Sequence, residues 1–75
     1  MINLYEAKMN RSLKVISIPD VDLLQSLGLR TGTKVTLQTR YNLGGPVLLR
    51  VEDSFSVALG KDIATQIAVK EAVTE

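Results

Sequence analysis

The sequence has no cysteine, no histidine and no tryptophan, and each absence closes off a class of function. Without cysteine there is no disulfide to staple a small fold and no thiolate nucleophile, a composition that fits a reducing cytoplasm. Without histidine the usual general base near neutral pH is missing. The loss of both residue types also removes the common ligands for zinc and ferrous iron. The serines at 12, 17, 26, 54 and 56 have no imidazole to activate them, and none stands in a nucleophile-elbow pattern. Aromatics are scarce as well. Tyr5, Tyr41 and Phe55 are too few to line a groove for proline-rich peptides.

An excess of one charge is also lacking. Nine Lys and Arg stand against eight Asp and Glu, a net charge of +1, with the signs interspersed and no basic arm or acidic tail. Phosphate contacts dominate nucleic-acid affinity and usually demand a basic patch, so no nucleic-acid partner is expected unless folding gathers Lys34, Arg40 and Arg50 on one face. No apolar run approaches the ~20 residues of a membrane span. Glu6 and Lys8 interrupt the stretch from Met1 too early for a signal peptide. Residues 1–75 are therefore expected to form one complete cytosolic domain with no direct membrane insertion. At this size only about 60% of the unfolded surface is buried, so the 45% hydrophobic content must serve a single core.

What is present is punctuation and alternation. Pro19, Gly28, Gly32, Gly44, Gly45, Pro46 and Gly60 divide the chain. Leu13 to Ile18 reads as a strand rich in β-branched residues, stopped by Pro19, which cannot donate to a ladder. Lys34 to Tyr41 alternates, with Val35, Leu37 and Tyr41 on one face. Val47, Leu49 and Val51 share a face in the next strand, and Phe55, Val57 and Leu59 in the one after; a last strand falls near Ile67 to Lys70. Five short strands joined by turns predict a mainly β, small barrel whose closure removes exposed edges. One short helix is expected near 20–27, with Asp20 as its cap, Leu23, Leu24 and Leu27 as its apolar stripe and Gly28 as its stop. A shorter helical turn is expected near 61–66, with Ile63, Ala64 and Ile67 inward.

The remaining polar clusters have structural explanations. Asp20 and Asp22 suit a helix start, where the dipole favours negative charge. Glu52-Asp53 suits an exposed turn; a cation site would need more oxygen ligands on a shaped loop. Gly44-Gly45-Pro46 lies between two strands, whereas phosphate-cradling loops join a strand to a helix N-terminus. No catalytic residue, cofactor or metal ligand is assigned, and the chain is not expected to be an enzyme.

Leu24-Gln-Ser-Leu-Gly-Leu-Arg-Thr-Gly32, Val35-Thr-Leu37, Leu43-Gly-Gly-Pro46 and Val57-Ala-Leu59, in that order and spacing, resemble the FeoA family over roughly residues 3 to 70. The resemblance implies an SH3-like barrel and a cytosolic accessory role toward FeoB, the membrane ferrous-iron transporter with a cytosolic GTP-binding domain. The same fold occurs as the C-terminal domain of DtxR-type metal-dependent repressors. With no helix-turn-helix ahead of Met1, the stand-alone accessory is the better match. Three positions depart from the family pattern: Tyr41-Asn42 replaces Ala-Pro, Gly45 replaces an acidic residue, and Gly60 replaces an arginine.

A docking protein needs apolar residues that its own core does not use. Leu43 beside the Gly-Gly-Pro turn, Leu48 on the outward register of its strand and Leu23 at the edge of the helix stripe are the candidates. Tyr41 and Arg40 would frame such a contact, since aromatic and Arg side chains are favoured anchors. The leading expectation is thus a protein–protein interaction module for a FeoB-type transporter. The alternatives are a repressor-type regulatory domain and a small nucleic-acid-binding barrel. An exposed strand edge would permit self-association, though nothing in the sequence requires it.

Overall fold

Strands form where the sequence alternates. The computed structural model describes residues 2–41 and 43–72. In chain order the elements are β1 (Ile2–Asn3), a 3-10 turn (Leu4–Glu6), β2 (Ser12–Ser17), α1 (Asp22–Ser26), β3 (Lys34–Arg40), β4 (Val47–Val51), β5 (Phe55–Leu59), α2 (Lys61–Ala64) and β6 (Ala68–Glu71). The strands pair antiparallel in one six-stranded sheet, ordered β1-β6-β2-β3-β4-β5, which curls around the core into a barrel-like shape. Closure was expected, and the structure corrects that. No ladder among the described residues joins β1 to β5, so two edges remain. The sixth strand is β1, two residues long and too short to show a pattern in sequence.

The core draws on every regular element but β1. Leu4, Leu13, Val15, Leu24, Val35, Leu37, Val47, Leu49, Val51, Leu59, Ala64 and Val69 are all buried. In β5 the inward row fades along the strand: Leu59 is buried, Val57 half-buried and Phe55 41% exposed at the sheet edge.

The Leu24–Gly32 segment is explained by its helix stop. The amide of Gly28 donates to Gln25 O at 3.0 Å and that of Leu29 to Leu24 O at 2.9 Å. This is a Schellman termination, with Gly28 in the left-handed conformation (φ +83°) and Leu24 and Leu29 meeting as its apolar pair, both fully buried. The buried Thr33 hydroxyl accepts from Arg30 N and donates to Gly28 O, fixing the turn that leads into β3.

The helix start differs from expectation. The amide of Val21 donates to Pro19 O at 2.9 Å, a tight three-residue turn that delays the helix. Val21 occupies the cap position without a side-chain hydrogen bond, so Asp20 does not cap α1. The turn near 61–66 is helical over Lys61–Ala64, beginning directly after Gly60.

Candidate protein-docking site

The candidate site is set by an irregularity in β3. Leu37 pairs with Leu49, but the next pairs are Thr39 with Leu48 and Arg40 with Val47, so one extra residue of β3 lies at Gln38. Such a bulge reverses the facing of every residue beyond it. Tyr41, expected on the face of Val35 and Leu37, is instead 52% exposed. Arg40 turns to the inner side, opposite buried Val47. There its Nη1 donates to Tyr5 O at 2.8 Å and to Ala7 O at 3.0 Å. The guanidinium thereby ties the N-terminal segment to the base of the β3–β4 hairpin.

The hairpin closes where Tyr41 N donates to Pro46 O at 3.0 Å. At its tip Leu43 and Gly44 are both left-handed, with φ of +62° and +79°. Successive positive φ values suit Asn-Gly or Gly-Gly; a leucine there strains its backbone by about 1–2 kcal/mol. Packing does not offset that cost, because Leu43 is 104% exposed. A branched apolar side chain held in water on a strained backbone contributes nothing to this fold that a smaller residue would not.

Leu48 is half-buried on the outer face of the same hairpin, opposite Thr39 and Ala58. The hairpin thus groups Arg40, Tyr41, Leu43 and Leu48. Leu23 does not belong to it: it lies on α1, 60% exposed.

Two neighbours of the hairpin carry no local sequence signal. The Tyr5 hydroxyl stands 3.5 Å from Tyr41 O, at the long limit of a hydrogen bond, and Lys61 Nζ lies 5.4 Å from the centre of the Tyr5 ring. These two residues, with Asn3, Glu6, Arg40 and Thr65, line an open cleft of about 530 Å³. Tyr5 and Tyr41 are 36 residues apart, so no local pattern could have joined them.

Glu52 and Asp53 form the turn between β4 and β5, both left-handed (φ +50° and +56°), as an exposed hairpin connection. Among the described residues no three Asp or Glu side chains converge in a way that could hold a metal ion. No helix among them is long and apolar enough to cross a membrane.

The fold has clear relatives among solved structures. A FeoA-like protein from Clostridium acetobutylicum is 27% identical, with a TM-score of 0.78 over 99% of this chain and 90% of that one. Stenotrophomonas maltophilia FeoA complexed with zinc, described as a procaryotic SH3 domain protein, is 24% identical, with a TM-score of 0.77 over 93% and 91%. A manganese-dependent transcriptional repressor is 20% identical, with a TM-score of 0.82; 93% of this chain matches 41% of that one. These likenesses establish the fold as the SH3-like type. No curated protein matches the chain by sequence. The family model of the FeoA domain, however, matches residues 2–71, nearly the whole length, and the chain belongs to the FeoA family.

Proposed function

We propose that this chain is a non-catalytic accessory of a FeoB-type ferrous iron transporter, docking from the cytosolic side through its β3–β4 hairpin. The observation that carries the reading is Leu43: fully exposed, strained, and at the centre of a loop that also presents Tyr41. Strained backbone and solvent-exposed apolar side chains recur at contact sites, because the partner supplies the burial that the free fold lacks. Burying a leucine on a partner is worth about 1.5–3 kcal/mol. Tyr41 adds an aromatic anchor and Leu48 extends the apolar surface along the strand. Arg40 acts from behind, holding the hairpin base through Tyr5 and Ala7. Leu23 would belong to a separate contact on α1.

Membership of the FeoA family supports the iron-transport setting. Isothermal titration of the chain against the isolated GTP-binding domain of a FeoB-type transporter tests the docking. Leu43→Asp should weaken binding at least tenfold while the circular dichroism spectrum stays native; undiminished binding would remove the loop from the interface.

The likeness to part of a manganese-dependent repressor favours one second reading, a regulatory domain that responds to metal. Titration with manganous or ferrous ions, followed by amide chemical shifts, separates the two. Saturable shifts clustered on carboxylates would favour regulation, and their absence would favour the accessory.

A further inference from the structure

We propose that Lys34, Lys14 and Lys70 form a second docking face that takes an acidic segment of a partner protein. Lys14 of β2 stands directly opposite Lys34 of β3 on one side and Lys70 of β6 on the other. Their strand neighbours Leu13, Val15, Val35 and Val69 are buried, so all three lysines point out from the same face. Strands lie about 4.8 Å apart, which sets three ammonium groups across roughly 10 Å of sheet. Like charges directly opposed in a sheet are destabilising, so this row opposes folding.

The neighbouring arginines are treated differently. Arg11 is paired with Glu71 at 3.1 Å and Arg50 with Asp53 at 3.8 Å, whereas no ion pair among the described residues includes a lysine. The chain as a whole carries +1, so removing these three charges leaves the remainder at −2 (1 − 3). The row is thus a positive island on an otherwise slightly negative chain. All three lysines line one shallow cleft of about 430 Å³, together with Gly32, Glu71 and Ala72.

The surroundings favour carboxylates from a protein over a phosphate backbone or a lipid surface. Tyr5, Tyr41 and Phe55 lie outside the strands that carry the row, so bases would find no stacking platform there. Acidic residues stand beside both ends of the row. Glu52 donates its amide to Lys34 O, and Glu71 directly follows Lys70. A long polyanion or a membrane plane would cross those negative groups, while two or three carboxylates fit between them. Lys34 opens β3 and Leu43 lies beyond its far end, roughly 20 Å away by strand rise. The two faces can therefore be tested separately.

The probe is a hexaglutamate peptide, titrated at low salt into the ¹⁵N-labelled full chain. Amide shifts should concentrate at residues 12–14, 34–36 and 68–71 and vanish at high salt. Lys14→Thr, which removes the middle charge but keeps a strand former, should weaken binding about fivefold, the value of one close Coulomb contact in water. The same variant should raise the thermal midpoint, since it relieves two opposed pairs. Undiminished binding by Lys14→Thr, or shifts confined to other surfaces, would overturn the proposal. So would tighter binding of a hexathymidylate or of phosphatidylserine-containing vesicles than of the peptide, which would assign the row to nucleic acid or lipid.

Discussion

Replacing Leu43 with asparagine should make the domain more stable and its docking weaker. Leucine at φ +62° carries about 1–2 kcal/mol of left-handed strain, which asparagine tolerates far better because its short polar side chain bonds locally. At 104% exposure the leucine has no packing to lose in the free protein. Asparagine adds no glycine-like freedom to the unfolded chain, so about 0.5–1 kcal/mol of the relief should survive as net stability. For a domain of this size that corresponds to a rise in Tm of about 2–8 °C. Thermal unfolding followed by circular dichroism reads the first effect and titration against the transporter's GTP-binding domain reads the second. A fall in Tm would mean that Leu43 packs against the fold and that the exposed, strained tip is not its resting state. A rise in Tm with unchanged binding would leave the strain real but unconnected to docking.

Three further outcomes follow from the same geometry. Arg40→Ala should destabilise by about 1.5–3 kcal/mol, because two carbonyls lose a charged donor; chemical denaturation measures it, and a change under 0.5 kcal/mol would contradict the tie between the hairpin and the N-terminal segment. Glu52→Asn should stabilise by a few tenths to about 1 kcal/mol, because it relieves a left-handed glutamate at the opposite end of β4 from the β3–β4 loop; affinity for the transporter domain should not move. Leu24→Ala should cost about 2–5 kcal/mol by opening a cavity under the Schellman turn, read as a lowered midpoint of chemical denaturation; a change under about 1 kcal/mol would contradict the buried Leu24–Leu29 pair.

The strands and the helix stop were legible because they rest on local chemistry. Val47, Leu49 and Val51 alternate as a half-buried strand must, and Gly28 follows a leucine stripe where a left-handed residue is needed. The bulge at Gln38 was not legible. It is set by how β3 and β4 pair, and it reverses Tyr41 and Arg40 relative to the simple period. Arg40 was expected to frame a partner and is found bonded to the fold's own carbonyls, a contact across 35 and 33 residues that no short pattern encodes. Asp20 was misplaced for a different reason: the proline turn ahead of α1 moves the helix start onward, to Val21. Leu43 stood out in sequence as a leucine beside a glycine turn, but its positive φ becomes visible only in three dimensions. The lysine row is non-local in the same way, assembled from three strands that are neighbours only in the sheet.

The contact proposed for a FeoB-type transporter lies on the β3–β4 hairpin. Amide shift mapping of the labelled chain against the unlabelled GTP-binding domain tests it most directly. Tyr41, Leu43 and Gly44 should move first and furthest, with Leu48 following along the strand. A saturating titration that leaves those residues still, while shifts gather elsewhere on the domain, would contradict it.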